Sequence, residues 1–381
     1  GWIRQSQAIG DTMPFDAGGV SASVGGRCIM NKERIGEFAN AVYRDMAGAM
    51  AIGMGYLGLK SGLFEAMKGG EFVSASDLAD ETGLTLRYVE EWLNGMASAG
   101  WLEHDQQAKT FAMPEEHAFL LASEGTDHFM GGLFLAGPSL LSQAPRVARA
   151  FRDGGGVPFD AYDDDWIEAL DLMNGGAYKH RLASYWMKQL PEIDERLASG
   201  GLALDVGCGV GKVTFALAKA YPNARITGFD PDGKSIAQAR KCAAKQETDK
   251  VKFIEGLIED ISQEPVFDFA GMFDCLHDLA DPQLTLTEIR KRMVPGGVLM
   301  VMEPRAADSL SENSNPLGTV YYGFSLFHCM TQSLAQGGPG LGTCMGPDKA
   351  MTLLREAGFS DVRELSIKSQ TNMFFAGPVS Y

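Results

Sequence analysis

Long apolar runs, paired-cysteine motifs and basic clusters are all missing from this chain of 381 residues. Without a run of about eighteen apolar residues, no membrane-spanning helix is expected. The opening residues lack a basic start followed by an apolar core, so an exported protein is not expected either. Cys28, Cys208, Cys242, Cys275, Cys329 and Cys344 are scattered without CxxC or CxH spacing. That scatter signals neither a metal site nor a disulfide framework, and it fits a reducing cytoplasm. Lys and Arg total 33 against 49 Asp and Glu, a formal charge of −16. Nucleic acids and anionic membranes both demand local positive charge, so neither is an expected partner.

What is present is an ordinary globular composition, 45% apolar and 22% charged. It suffices to bury a core without covalent staples, and the length suggests two domains. The Gly-rich opening, residues 1–33, reads as a flexible tail. From 34 to 159 the pattern is helical. "FANAVYRDMAGAMAIGMGYLGLK" sets Ala, Gly and Met at helical spacing, and small side chains let helices approach closely, as in a subunit contact. Ser76 then begins a short helix that Gly83 closes, and Thr85 opens a second with Val89, Trp92, Leu93 and Met96 on one face. Trp101-Leu102 and Thr110-Phe111 follow as strands of a wing, completing a winged helix-turn-helix pattern. Between Glu71 and Asp105 the only Lys or Arg is Arg87, and Glu90-Glu91 on the recognition helix would repel phosphates. A dimerisation module, giving a homodimer, is therefore expected in place of a DNA reader.

Residues 160–192 read as connecting helices rich in Tyr, Trp and Met, some of them lining a pocket. From 193 to 381, strands alternate with helices: Ala203–Val206, Ile226–Phe229, Val251–Ile254, Phe267–Phe273 and Val298–Met302. Val362–Ile367 and Met373–Gly377 follow with no helix between them. The expected fold is α/β: a Rossmann-like doubly wound sheet with an antiparallel edge strand, plus a mainly helical winged-helix N-terminal domain.

The stretch "LALDVGCGVGKVTFALAKAYPNARITGFD", Leu202 to Asp230, carries the first chemistry. Asp205-Val206-Gly207-Cys208-Gly209-Val210-Gly211 leaves one strand, turns where only glycine avoids a clash, and enters a helix, so a ligand meets bare backbone. Asp230 ends the next strand, where a carboxylate accepts ribose hydroxyls. A dinucleotide site aims GxGxxG at a pyrophosphate. Here the spacing is DxGxGxG, and Asp205 welcomes an ammonium where it would repel a pyrophosphate. Adenosine joined to a cationic amino acid satisfies both ends, which points to S-adenosylmethionine. A nicotinamide-dependent oxidoreductase is the alternative that the spacing disfavours.

Followed by "FDCLHDLADPQLTLTEIRKRMVPGGVLMVMEP", this stretch resembles the class I S-adenosylmethionine-dependent methyltransferase domain. With "NPLGTVYYGFSLFHCMTQSLAQGGPGLGTCMG" and the winged-helix half, residues 34 to 381 resemble a bacterial subgroup of small-molecule methyltransferases that pairs this domain with a winged-helix dimerisation domain. The resemblance implies that Asp205, Gly207 and Gly209 cradle the methionine part and that Asp230 holds the ribose, with Pro231 nearby. The family often carries an aspartate after the third strand; here Leu257 stands there. Adenine then rests on Leu257 and Ile258, or on a shifted Glu259 or Asp260. Phe273 and Asp274 belong to the same cofactor edge.

Methyl transfer is an in-line displacement at a carbon already activated by a sulfonium, so placing the acceptor and excluding water is the main task. Acid–base help is needed only when the acceptor carries a proton. His277 and Asp278 form the expected catalytic pair, His277 resembling the general base of related O-methyltransferases. Capping a helix or hydrogen-bonding the cofactor is its other reading. The insertion Arg305–Pro347 is long enough to cover a site. Within it Tyr321, Tyr322 and His328, with Tyr178 opposite, are acceptor-pocket candidates, and core packing is the competing role. Lys179, His180, Arg181 and Arg305 are the cations that would meet an acidic acceptor. A thioether acceptor, as in routes to sulfonium osmolytes, has no proton to lose, and His277 would then only orient it.

Overall fold

The computed structural model describes residues 31–246 and 249–380, in two compact units that divide between Ala122 and Ser123. The expected tail lies outside the described residues as far as residue 30. Its last positions begin a helix, Lys32–Lys60, which Asn31 caps by accepting from the Glu33 amide at 2.9 Å. Only Ala51, Gly55 and Gly58 of this helix are buried, and Phe38, Val42, Met46 and Met50, four residues apart, form an exposed apolar stripe.

In the first unit, strands β1 (Val73–Ser74), β2 (Glu103–Asp105) and β3 (Thr110–Ala112) pair antiparallel in the order β1-β3-β2. Ser74, not Ser76, caps the helix Ala75–Thr82. It ends β1 in extended backbone, so its hydroxyl accepts from the Asp77 amide at 3.1 Å, whereas Ser76 is already inside the first turn. Gly83 closes that helix in the left-handed region at φ 70°. The next helix, Leu86–Ser98, buries Val89, Trp92, Leu93 and Met96, the face its spacing predicts. Trp101-Leu102 forms a bend that carries Leu102 into the core, and the wing strand starts one residue later.

The second unit begins well before the boundary expected at residue 159. The cause is a close helix crossing: Gly131–Ser142 lies so near Asp164–Arg181 that a Cβ on Gly132 would stand 2.7 Å from Met173 Cγ. Residues 123–159 therefore belong with the sheet that follows. That sheet comprises β4 (Leu202–Val206), β5 (Arg225–Asp230), β6 (Val251–Glu255), β7 (Phe267–Phe273), β8 (Met293–Pro304), β9 (Arg363–Glu364) and β10 (Asn372–Pro378), in the order β6-β5-β4-β7-β8-β10-β9. β4 to β8 are parallel, and β10 runs antiparallel to both β8 and β9. β9 is shorter than its apolar run suggests because the Ile367 amide turns back onto the Leu365 carbonyl at 2.7 Å, breaking the ladder.

Strands buried on both faces read as continuous apolar runs, and β8 shows why. Leu299 and Val301 point into one core with Leu286, Ile289 and Leu354, while Val298, Met300 and Met302 point into the other with Leu182, Trp186 and Leu217. The strand order reverses at β4 and β7, and the crevice beyond their carboxyl ends is where such sheets bind ligands. Among the described residues no helix is long and apolar enough to cross a membrane.

Candidate active site

The glycine turn sits at that crevice. Gly207, Gly209 and Gly211 adopt φ of 65°, 50° and 89°, the left-handed region that disfavours a side chain. A Cβ on Gly207 would also press the Cys275 sulfur at 3.2 Å, so this backbone stays bare. Asp230 fastens the loop: its carboxylate accepts from the Gly209 amide at 2.9 Å and from the Asp232 amide at 2.8 Å. Each oxygen keeps a free lone pair, which suits a ribose diol. Asp205 is buried and accepts from the Thr214 hydroxyl at 2.5 Å. Burial pushes its carboxyl up to about 7, and the Thr214 bonds only partly offset that. A buried carboxyl so poised is ready to ionise when a cation arrives. This cradle therefore fits an adenosine with a cationic amino-acid tail.

At the adenine position expected from the sequence, Leu257 is exposed, and its amide donates to Asp260 at 2.8 Å. Ile258 is buried in the core beside Val206 and Phe229. Asp260 thus orders this turn from inside it. Phe273 is buried, with the Tyr178 ring edge-on at 5.8 Å and Trp186 stacked at 6.3 Å.

The β7 end then breaks local rules. Asp274 has φ 61°, rare for a residue with a side chain, held by its amide on the Met302 carbonyl at 2.8 Å and by Asn174 donating to its carboxylate at 2.9 Å. Burial lifts its carboxyl to about 6. The strained turn delivers His277, whose Nδ1 bonds Glu303. The sequence reading missed Glu303. Its other oxygen accepts from the Leu276 amide at 3.0 Å, so one buried carboxylate fixes both the turn and the ring. His277 Nε2 lies 3.4 Å from Asp278 Oδ1 without hydrogen-bond geometry. Burial pulls the imidazole down, but Glu303 and Asp278 outweigh it and hold His277 well above the ordinary histidine range.

The insertion covers this turn. Gln332 donates to the Asp278 carbonyl at 2.8 Å, Ser333 to the Leu279 carbonyl at 3.0 Å, and the Gly342 amide reaches the His277 carbonyl at 3.4 Å. Of the acceptor candidates, Tyr321 donates its hydroxyl to the Thr371 carbonyl at 2.6 Å, and Tyr322 is exposed. His328 is packed among Trp166, Tyr162 and Phe159, with ring centroids 4.5, 4.8 and 5.8 Å away and no hydrogen-bond partner on either nitrogen. Burial pushes it down to about 4, a neutral ring. Tyr178 packs edge-on against Trp186 as well as Phe273, and burial pushes its hydroxyl well above the ordinary tyrosine range. Three of the four cations are engaged elsewhere: Arg181 pairs with Asp127, His180 meets the Gly125 carbonyl, and Arg305 donates to the Ser369 and Asn372 carbonyls.

Comparisons with known proteins bear on the fold that carries this site. Residues 197–358 match a methyltransferase domain model, and residues 48–123 match an Rv2258c-like winged HTH domain. An O-methyltransferase family protein from Burkholderia thailandensis has the same fold, with a TM-score of 0.63 at 15% identity over 93% of this chain and 99% of that one. Human N-acetylserotonin methyltransferase in complex with S-adenosylmethionine gives 0.61 at 20% identity over 90% of this chain and 98% of the other. An uncharacterised 37.1 kDa protein of a Streptomyces fradiae transposon is 33% identical over 44% of this chain and 47% of its own length. The chain spans about half the length, or less, of the curated relatives it matches.

Proposed function

Because the chain carries an S-adenosylmethionine-dependent methyltransferase domain after an Rv2258c-like winged helix-turn-helix domain, we propose that it transfers a methyl group to a small-molecule acceptor beside His277. When bound, S-adenosylmethionine supplies an electrophilic methyl group. Asp205 binds the ammonium of the amino-acid tail, Gly207 and Gly209 let it approach the backbone, and Asp230 takes the ribose hydroxyls. The insertion over residues 277–279 excludes water.

The buried bond from Glu303 to His277 Nδ1 is the observation that carries the chemistry. It takes up Nδ1, so Nε2, beside Asp278, is the nitrogen left to receive the proton of an acceptor O–H or N–H. One measurement tests the reading: incubate the enzyme with S-adenosylmethionine and a panel of phenols, amines, carboxylates and thioethers, and detect methylated product by mass. Conversion of none of them, with no binding of S-adenosylmethionine by calorimetry, overturns it.

A thioether acceptor has one observation in its favour. Glu303 and Asp278 keep His277 protonated above the usual range, and a protonated imidazole is no base. Sulfur needs none, and carboxylates around the site suit a sulfonium product. A rate independent of pH supports the thioether; a rate rising with pH supports an O–H or N–H acceptor.

The exposed stripe Phe38, Val42, Met46 and Met50 is the surface through which two chains associate as a homodimer. Light scattering of the wild type and of Met46→Lys gives the mass of each; a monomeric wild type would sink the assignment.

A further inference from the structure

Two side chains, Asp278 and Cys329, converge on the ring of His277, whose Nδ1 is taken by Glu303. One ring nitrogen of His277, a carboxylate oxygen of Asp278 and the sulfur of Cys329 all lie within 4.8 Å of one another. Cys329 is a buried free thiol in a π-helical turn, Ser325–Cys329, inside the insertion. The π turn adds a residue to the helical repeat and so redirects the side chains it carries. Asp278 Oδ1 is buried, takes no hydrogen bond, and stands 3.4 Å from Nε2. A tetrahedral zinc with nitrogen and oxygen ligands has an edge of about 3.3 Å between them. Nδ1 already bonds the Glu303 carboxylate, which is how metal-binding histidines are oriented, their second nitrogen tied to a carboxylate.

We propose that His277, Asp278 and Cys329 form a site for a soft divalent cation, Zn²⁺ in kind, and that its occupancy switches the enzyme off. Nε2 donates its lone pair to the metal, Asp278 one oxygen and Cys329 its thiolate. The Cys329 thiol proton, and the Nε2 proton where present, leave to solvent. No electron is transferred. With Nε2 coordinated, it can no longer take a proton from an acceptor; this consequence, though not the binding itself, rests on the function proposed above.

The test needs no turnover. Full-length protein freed of metal by dialysis against a chelator is titrated with Co²⁺ and, separately, with Zn²⁺ in competition with a chromophoric chelator. One equivalent of Co²⁺ should raise a near-ultraviolet thiolate charge-transfer band that Cys329→Ser abolishes. Glu303→Gln should weaken Zn²⁺ binding about 10–100-fold, as loss of a carboxylate behind a ligating histidine does. If Cys329→Ser does not fold, as judged by circular dichroism, Asp278→Asn replaces it and should weaken Zn²⁺ binding at least tenfold. No band in the wild type, or a band unchanged by these substitutions, overturns the site. Zinc binding without inhibition of methyl transfer overturns the switch while leaving the site, and a metal-free His277→Ala enzyme at full activity overturns the role of His277 instead.

Discussion

Strand β8 and the turn beyond β7 lie side by side in one sheet and obey opposite rules. Along β8, Val298 to Met302 are all apolar and buried, each side chain packed and every backbone group in a ladder. One residue past the end of β7, Asp274 is in a left-handed conformation; His277 and the half-buried Asp278 follow within four residues, and the buried Glu303 meets His277 from the end of β8. The strand interior is built for stability. The carboxyl edge is built against it, and strain of that kind persists only where the surroundings over-determine it. Substitutions in the two regions should therefore fail in opposite ways.

The largest expected effect is on the edge. His277→Ala should lower kcat for an O–H acceptor by about 10²–10⁴-fold, the usual worth of a positioned base. Glu303→Gln should keep more activity but move the rising limb of the pH–rate profile toward acid, since the carboxylate that holds His277 high is gone. Stability should follow the same proton. The folded state binds the His277 proton more tightly than the unfolded chain does. The pair's contribution is therefore complete below the ordinary histidine value and fades as pH rises through the raised one. Thermal melts of wild type against Glu303→Gln across that window check it; parallel curves would refute the pairing.

The strand interior should answer differently. Met300→Ala removes a fully buried side chain from the middle of β8 and should cost about 2–5 kcal/mol of stability, read by denaturant unfolding, with kcat kept at temperatures where the protein is folded. Asp278→Asn is the mirror image. It breaks no hydrogen bond at Oδ1 but removes a charge that favours protonated His277, so stability should fall far less than for Met300→Ala while turnover falls. A fall in stability for Asp278→Asn equal to that for Met300→Ala would erase the contrast.

How much of this was legible in the sequence follows the same divide. The β4 turn and Asp230 were readable because everything they need lies within one strand–turn–helix and the strand after it. The winged helix was readable for the same reason, although the cap fell on Ser74 because β1 ends there. Glu303 was not: it meets His277 across 26 residues. Only the register of β7 on β8, with Phe273 opposite Met302, makes the two strand ends neighbours. The one available signal was a lone carboxylate closing an apolar run, "VLMVMEP". The early start of the second unit was hidden as well, since the Gly132 crossing is a contact with a helix some forty residues on. His328 looked like a pocket residue by composition, and the neighbouring rings that bury it come from residues 159–166, far away in the chain.

A smaller effect sharpens the reading of the cofactor end. Asp205 with its carboxyl near 7 must ionise to pair with an ammonium, so affinity for S-adenosylmethionine should rise as pH passes upward through about 7. Asp205→Asn should lose about 10–100-fold in affinity, the range of one charge-assisted hydrogen bond, and should lose that pH dependence. The ligand-free variant should be the more stable at neutral pH. The buried wild-type carboxyl favours folding only while protonated, its contribution being full below the unfolded aspartate value and lost by about 7. Calorimetric titrations at several pH values decide the point, and an affinity flat in pH for the wild type would count against Asp205 as the ammonium partner.

The smallest effect separates strain that serves the site from strain that does not. Asp274 and Asp361 both carry positive φ, 61° and 45°. Asp361 is exposed in the turn before β9, away from the sheet's carboxyl-end crevice, so Asp361→Gly should relieve the clash, raise stability by about 1 kcal/mol and leave turnover alone. Asp274→Gly relieves the same clash but also deletes the carboxylate that Asn174 holds, and with it the restraint on the turn that aims His277. It should therefore show the stability gain, or part of it, together with a loss of kcat. If both variants keep full kcat, the left-handed turn after β7 is an accident of chain routing, and the contrast between strand and edge loses its functional half.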